Sequence, residues 1–484
     1  MRAALVALVS AFVVVASGCG GSAAGVGADS AATMLKPGAL VYWETETDPD
    51  SAQWKQVEEL LGRFPDGDKW VAELRRSFEG DTGVTWDEVE GALGPRLGVA
   101  VYARSTADVG VVGLLKPEDP DETIALIERL NRQESEAPVV ARAVDGWVVL
   151  SDKPGSIDAA LKGEGDALAD GEQFQDGMER LPDDALSRVY VDVSAALDAF
   201  GSADPQVRQS VRLLGLDALD FVGAWAKARD DGVELAGSLT GEAADRLLGA
   251  GENYSSKLLG LVPADAFAFA SLQGEGVSGQ FEGLQGNPLF GMALQDFEQE
   301  TGIRFDDLVR ILKGEAAFYA APGAPIPELT LLLDSDDASR DREAVDRLLR
   351  TLAERGGGEV TEDGDVTTAV FEGFTVNVGA AGDTIVVTTN KDAIADLEAG
   401  AGDKLEDSDR FGDALEAAGA PDAYTGLFYV DLAQTIEVVM GFASSAGQSV
   451  PGEVSRNLEP LRSVVAYGEK DGDSGTSLVF VEIQ

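Results

Sequence analysis

Leu35-Lys36-Pro37-Gly38-Ala39-Leu40-Val41-Tyr42 has a counterpart far down the chain in Leu261-Val262-Pro263-Ala264-Asp265-Ala266-Phe267-Ala268. Each is a Leu-x-Pro lead-in to an apolar strand. The match is one of a series. Asp81-Thr-Gly83-Val-Thr-Trp86-Asp pairs with Glu300-Thr-Gly302-Ile-Arg-Phe305-Asp, and Val101-Tyr102-Ala103 with Phe318-Tyr319-Ala320. Trp147-Val-Val149 through Lys153 pairs with Ile385-Val-Val387 through Lys391. Tyr190-Val-Asp192 pairs with Tyr429-Val-Asp431, and Trp225 with Tyr467. Six matches in one order imply a duplication, with a first repeat over 35–250, a second over 258–484, and a polar join at Gly249–Lys257. The second repeat is longer by about twenty residues around Gly356–Phe371, where Asp363-Gly364 is a hairpin turn signal.

Periodicity gives each half the same plan. A strand at Ala39–Glu44 leads to a helical stretch with Trp70, Val71, Leu74 and Phe78 on one face. Thr85-Trp-Asp-Glu88 is a capping box, with Val84 and Val89 as its hydrophobic staple; Ile303 and Leu308 repeat the staple in the second half. Strands follow at Leu97–Ala103 and Val109–Leu115, then a helix at Glu122–Asn131 and a hairpin at Asp145-Gly146. Val189–Val193, a helix and a closing hairpin across Asp230-Asp231-Gly232 complete the half. Helices alternating with hairpins predict an α+β fold, helices packed on a mainly antiparallel sheet in each of two duplicated halves.

Composition narrows the chemistry. The 484 residues include 86 Asp+Glu, 37 Lys+Arg, one Cys and no His, and 44% are apolar. That apolar share is ordinary for a folded chain. Without His there is no Ser-His-Asp triad, no Cys-His pair and no imidazole acid or base. A net charge of −49 repels phosphate and anionic headgroups, which excludes nucleic acid as a partner. It leaves two explanations open, a salt-adapted surface or a cationic target.

The N-terminus locates the protein. Arg2 precedes an apolar run, Ala3–Ala16, that is shorter than the roughly 18 residues a span requires. The run ends in Ala16-Ser17-Gly18-Cys19, which resembles the lipobox of bacterial lipoproteins, although that family usually has Leu where this chain has Ala16. The resemblance implies a signal peptide over 1–18, cleavage before Cys19, and acylation of Cys19 by a palmitate-type anchor on the extracytoplasmic face of the cell membrane. Residues 19–34, rich in Gly, Ala and Ser, then read as the lipidated Cys and a flexible tether. With its only thiol acylated, the chain forms no intrachain disulfide.

A lipobox, a short tether, a Leu-x-Pro start and two similar α+β halves together resemble the bacterial envelope family catalogued as domain of unknown function 3352. The resemblance covers residues 33–484. It implies an exported location and supplies no catalytic residues.

The candidate sites are weak. Gly274-Glu-Gly276-Val-Ser-Gly279 matches a dinucleotide fingerprint but lacks the parallel crossover that motif needs, so it reads as a loop. Asp471-Gly-Asp473-Ser-Gly475 with Glu482 echoes a calcium loop but has Thr476 where Gly is required, so it reads as a hairpin turn. Glu118-Asp-Pro-Asp-Glu122, Asp334-Ser-Asp-Asp337, Asp192 and Asp431 stand where helices start and read as caps, with divalent-cation capture as the sharper alternative. Leu289, Phe290, Ala293, Leu294 and Phe297 share a helical face that serves either a core or an apolar pocket.

The expectation is therefore a non-catalytic, lipid-anchored binding or interaction module of unknown ligand, with no cofactor and no metal, its partner either an apolar ligand or an envelope protein. The alternatives are a carrier of an apolar, lipid-like ligand held between helices and sheet, and a carboxylate-based hydrolase. Cys19 is the one assigned site residue, as lipid anchor. Cys19→Ser should move the full chain from the membrane to the soluble fraction; unchanged detergent-phase partitioning would remove the anchor.

Overall fold

The computed structural model describes residues 30–105, 108–133, 138–162, 165–201, 216–241, 252–274, 291–292, 294–295, 298–299, 302, 304–324, 326–445 and 447–484. The chain divides into two units. One is Met1–Ala243 with Gly452–Pro460 and Ile483–Gln484; the other is Ala244–Pro451 with Leu461–Glu482. Both are α+β, as the sequence predicts. The signal peptide, Cys19 and the tether up to residue 29 lie outside the described residues, as do Ile303 and Leu289, Phe290, Ala293 and Phe297.

The first unit is built on eight strands: β1 (Val41–Glu46), β2 (Arg96–Ser105), β3 (Asp108–Leu115), β4 (Val140–Val144), β5 (Trp147–Ser151), β6 (Ser187–Asp192), β7 (Phe221–Arg229) and β8 (Gly232–Thr240). All the pairings are antiparallel, in the order β4-β5-β3-β2-β1-β6-β7-β8. Strand alternation puts Tyr42 and Tyr190, cross-strand partners, on one face. The helix Glu172–Glu179 lays Phe174 edge-on between them, with ring centroids 5.3 and 5.1 Å away. Gly177 makes that seat possible, because a Cβ there would strike the Tyr190 ring. On the opposite face the capping box forms as predicted, with Thr85 and Glu88 satisfying each other's backbone N–H groups. Val84 and Val89 are buried beside Leu97, Leu115 and Val148, with Phe78, Trp43 and Val99 packed around them. Both faces of this sheet are covered, which is why β5 is buried at every position.

The second unit carries β9 (Ala268–Gln273), β10 (Glu315–Ala321), β11 (Glu328–Asp334), β12 (Glu359–Asp363), β13 (Val366–Phe371), β14 (Phe374–Ala381), β15 (Thr384–Thr388), β16 (Gly426–Asp431), β17 (Leu461–Asp471) and β18 (Ser474–Ile483). Its antiparallel order is β12-β13-β14-β15-β11-β10-β9-β16-β17. The extra residues form the β12–β13 hairpin, turning at Asp363-Gly364 with Gly364 at φ 62°. Phe411 packs edge-on against Phe269 and Tyr429, at 6.4 and 5.0 Å. Helix Ala338–Gly356 covers the sheet over Leu333, Ala369, Val378 and Ile385.

Three sequence expectations need correction. Residues 30–34 belong to the fold and not to a tether: Ser30 caps a 3-10 turn at Ala31–Thr33, and Ala31 and Ala32 are fully buried in the first core. Small residues there looked like a linker, but they are small because Ala31 abuts Gly98, where a Cβ would collide with it. The join does not reach residue 257 either. The Asn253 side chain bonds the backbone of Lys470 in both directions, and Tyr254 pairs with Tyr424, so residues from 252 onward are part of the second unit. Finally, the two matched prolines do not hold equivalent places in their units. Leu168 N–H bonds Leu35 C=O, and Leu405 N–H bonds Val262 C=O, so Leu35 stands in its unit where Val262 stands in the other, and Tyr42 where Phe269 does, one residue off the sequence match. A one-residue slip exchanges the faces of a strand, and burial of Tyr42 and Phe269 settles which is right.

A chain starting at Ser30 should therefore unfold at the same urea concentration as one keeping the tether. A chain starting at Leu35 should lose about 3 kcal/mol, the combined loss of a hydrogen bond to a buried carboxylate and two buried alanines.

Candidate functional site

Two buried carboxylates, Glu44 and Glu315, are tied into the fold. Glu44, on β1, is almost wholly buried. Its Oε2 accepts from Ser30 Oγ (2.5 Å) and the Tyr42 hydroxyl (2.6 Å), and its Oε1 faces Arg188 (3.1 Å) and Arg96 (3.2 Å). Arg188 also holds Asp183 at 3.0 Å. Burial pushes the Glu44 carboxyl up, but the two hydroxyls and then the two guanidinium groups outweigh it and hold the group below its usual range. Burial, and then the charge of Glu44, drive the Tyr42 hydroxyl well above its own.

In the second unit Glu315 fills an analogous role with different partners. It accepts from Ser256 Oγ, Ser271 Oγ (3.0 Å) and the backbone N–H groups of Lys257 (2.8 Å) and Leu258 (3.3 Å). Both carboxylates pin a segment that enters the sheet. Glu44 borders a narrow recess that it shares with Glu46, Asp183 and the two arginines.

The acidic helix starts are caps. Asp192 Oδ1 accepts from Ala195 N–H and Asp431 Oδ1 from Gln434 N–H, both at 2.8 Å. Asp119 accepts from the N–H groups of Asp121 and Glu122, and Asp337 from that of Arg340. Asp471–Asp473 is a hairpin turn with Gly472 at φ 59°, and Glu482 turns inward to accept from Ser463 Oγ at 2.7 Å. Among the described residues no group of three acidic side chains is placed to hold a metal ion. Gly274 closes β9 because its backbone lies against that of Leu312 and Gly314; Gly276 and Gly279 fall outside the described residues.

Among the described residues, each unit also has a wider cleft. In the first, a groove of about 780 Å³ is lined by Gln53, Arg63, Lys227, Arg229 and Asp231. Its charges are internally engaged: Arg63 bonds the carbonyls of Ile483 and Asp230, Lys227 pairs with Asp184, and Arg229 with Asp231 and Glu234. In the second, a cleft of about 470 Å³ lies between the Phe371–Phe374 turn and the loop before β11. Phe371 and Phe374 stack at 4.9 Å, with planes 14° apart, and Ile326 adds to the lining. Glu328 also lines it, with Oε1 accepting from the Tyr319 hydroxyl (2.7 Å) and Thr330 Oγ1 (3.3 Å), and Oε2 from Asn390 Nδ2 (2.7 Å).

Among the described residues, the second sheet also leaves apolar side chains partly exposed. Phe428, Ala270, Phe318 and Leu331 stand in register across β16, β9, β10 and β11. Phe428, Phe318, Leu331 and the neighbouring Leu272 and Leu329 are 36–45% exposed. Sequence reasoning missed both this row and the cleft. Alternation marks two faces of a strand but does not say which face receives a helix.

The chain belongs to the family described as Protein of unknown function (DUF3352), whose profile matches residues 115–481. No curated protein matches it. Among solved structures, crystal forms I and IV of TP0453 are similar at 13% and 14% identity. The alignments cover 47% and 46% of this chain and 79% of each TP0453 chain, at a TM-score of 0.24, a value that carries no argument. No helix among the described residues is long and apolar enough to cross a membrane.

Arg188→Met should cost about 3 kcal/mol at pH 7, because a buried carboxylate keeps only one of its two cations. A carboxyl held below its unfolded value, roughly 4.3, contributes stability above that pH and loses it as pH falls through the folded value. The gap between wild type and Arg188→Met in urea unfolding should therefore narrow below about pH 4. A gap that is constant with pH would mean that Arg188 acts through packing alone.

Proposed function

We propose that this protein is a non-catalytic binding module of the cell envelope, held at the extracytoplasmic face by a lipid on Cys19 and built from two units descended from one duplicated ancestor. The shared order of strands supports the duplication: β4-β5-β3-β2-β1-β6-β7 in one unit reads against β14-β15-β11-β10-β9-β16-β17 in the other. The aromatic trios Tyr42, Phe174, Tyr190 and Phe269, Phe411, Tyr429 support it too, as do the 3-10 turns Leu168–Asp170 and Leu405–Asp407 that precede each packing helix. The sequence around Cys19 supports the anchor.

The observation that carries the binding role is the apolar row on the second sheet. Its occupant is an apolar segment of another envelope protein. A second copy of this chain is disfavoured because each carries a net charge of −49, and an anionic lipid surface is disfavoured for the same reason. The carrier reading would need a bound apolar molecule, seen as excess native mass that solvent extraction removes.

Replacing Phe318 and Phe428 together with Ser should abolish photo-crosslinks from Leu331-neighbouring positions to a partner on intact cells. Stability should fall by about 1–3 kcal/mol without loss of the fold, since both side chains are only partly buried, at 40% and 45% exposure. Crosslinks that survive the double substitution would sink this face as the docking surface.

A further inference from the structure

We propose that the cleft between Glu328 and the Phe371–Phe374 stack binds an organic cation, an ammonium or guanidinium group carried on an apolar stem. The carboxylate of Glu328 is held by three neutral donors, Tyr319, Thr330 and Asn390, and no Lys or Arg among the described residues lies within ion-pair distance of it. The fold therefore orients this negative charge without neutralising it. Two of the donors converge on Oε1 and one on Oε2, which leaves acceptor capacity on a group with about four lone-pair positions.

The rest of the lining selects the ligand. Phe374 is 48% exposed and Ile326 38%, so an apolar stem has surface to cover, and a cation near a phenyl face gains from its quadrupole. No basic side chain lines the cleft, which excludes an anion. One carboxylate with a Thr and an Asn is a poor set for a bare metal ion, whereas a carboxylate beside aromatic rings suits a large, weakly hydrated cation. The net charge of −49 adds long-range attraction for any cation. The cleft is formed with the β13–β14 turn, beside the hairpin that the first unit lacks, so the first unit offers no equivalent. This site is independent of the apolar row and of the lipid on Cys19, and it is tested on the soluble body.

Two sources supply such a group, a small alkylammonium compound or a Lys side chain in a peptide. The body starting at Ser30 should be titrated with hexyltrimethylammonium and separately with the peptide acetyl-Ala-Ala-Lys-Ala-Ala-amide, following binding by NMR. 3,3-Dimethylbutanol, an uncharged probe with a similar branched head, serves as the control. Glu328→Gln should weaken cation binding about tenfold and Phe374→Ala about threefold. Glu398→Gln, an exposed carboxylate elsewhere on the unit, should leave it unchanged. Tighter binding of the alkylammonium identifies a small-molecule site, and tighter binding of the peptide identifies a Lys-recognition site. Equal affinity in all three variants would show adsorption to the acidic surface and overturn the proposal, as would equal binding of the alcohol. Phe374→Ala alters only a largely exposed ring, so the test stands even if Glu328→Gln perturbs folding.

Discussion

A strand has two faces, and in each unit the central strand commits one of them to an aromatic ring seated against a second aromatic across the sheet. Tyr42 meets Tyr190, Phe269 meets Tyr429, and a single Phe from a short helix closes each pair. Edge-on contacts at these distances add to what area burial alone provides. Once those rings are fixed inward, register is fixed along the whole sheet, because sliding any strand by one residue would expose them. What happens on the other face then becomes the distinguishing feature of each unit. In the first, Phe78, Val89 and Trp43 fill it. In the second, helix Ala338–Gly356 reaches Leu333 and Ile385, while Phe318 and Phe428 remain open to solvent.

The sequence was legible wherever a signal is local. The Thr85–Glu88 capping box, the Asp363-Gly364 hairpin and the caps at Asp192 and Asp431 depend on residues within a few positions of one another, and each forms as read. It was illegible wherever partners are distant. Glu44 and Arg188 are 144 residues apart, and nothing near either one announces the other. The same reason hid the role of Ser30: a Ser among small residues looks like tether until its hydroxyl is found on a buried carboxylate. The likeness of Leu35-Lys36-Pro37 to Leu261-Val262-Pro263 is visible in the sequence, but the hydrogen bonds that place Leu35 level with Val262 are not, because their partners lie more than a hundred residues away.

Acidity on this scale has to be managed inside the fold as well as on its surface. Three strand carboxylates show three solutions. Glu44 is countered by two guanidinium groups, Glu315 by hydroxyls and backbone N–H groups, and Glu328 by hydroxyls and an amide alone. The first two are buried, where leaving a charge without partners would cost several kcal/mol. Glu328 borders a cleft that water can enter, so the same incomplete neutralisation is tolerated there.

That difference is one of several between the two units. The first unit has both faces of its sheet covered, and the basic groups in its groove are paired with its own carboxylates and carbonyls. Among its described residues the second carries the β12–β13 hairpin, the stacked Phe371 and Phe374 beside it, an oriented carboxylate and the partly exposed apolar row on its sheet. Features that are costly to keep in water, exposed aromatic rings and an uncompensated charge, are concentrated in one half. The proposed binding role rests on that concentration in the second unit.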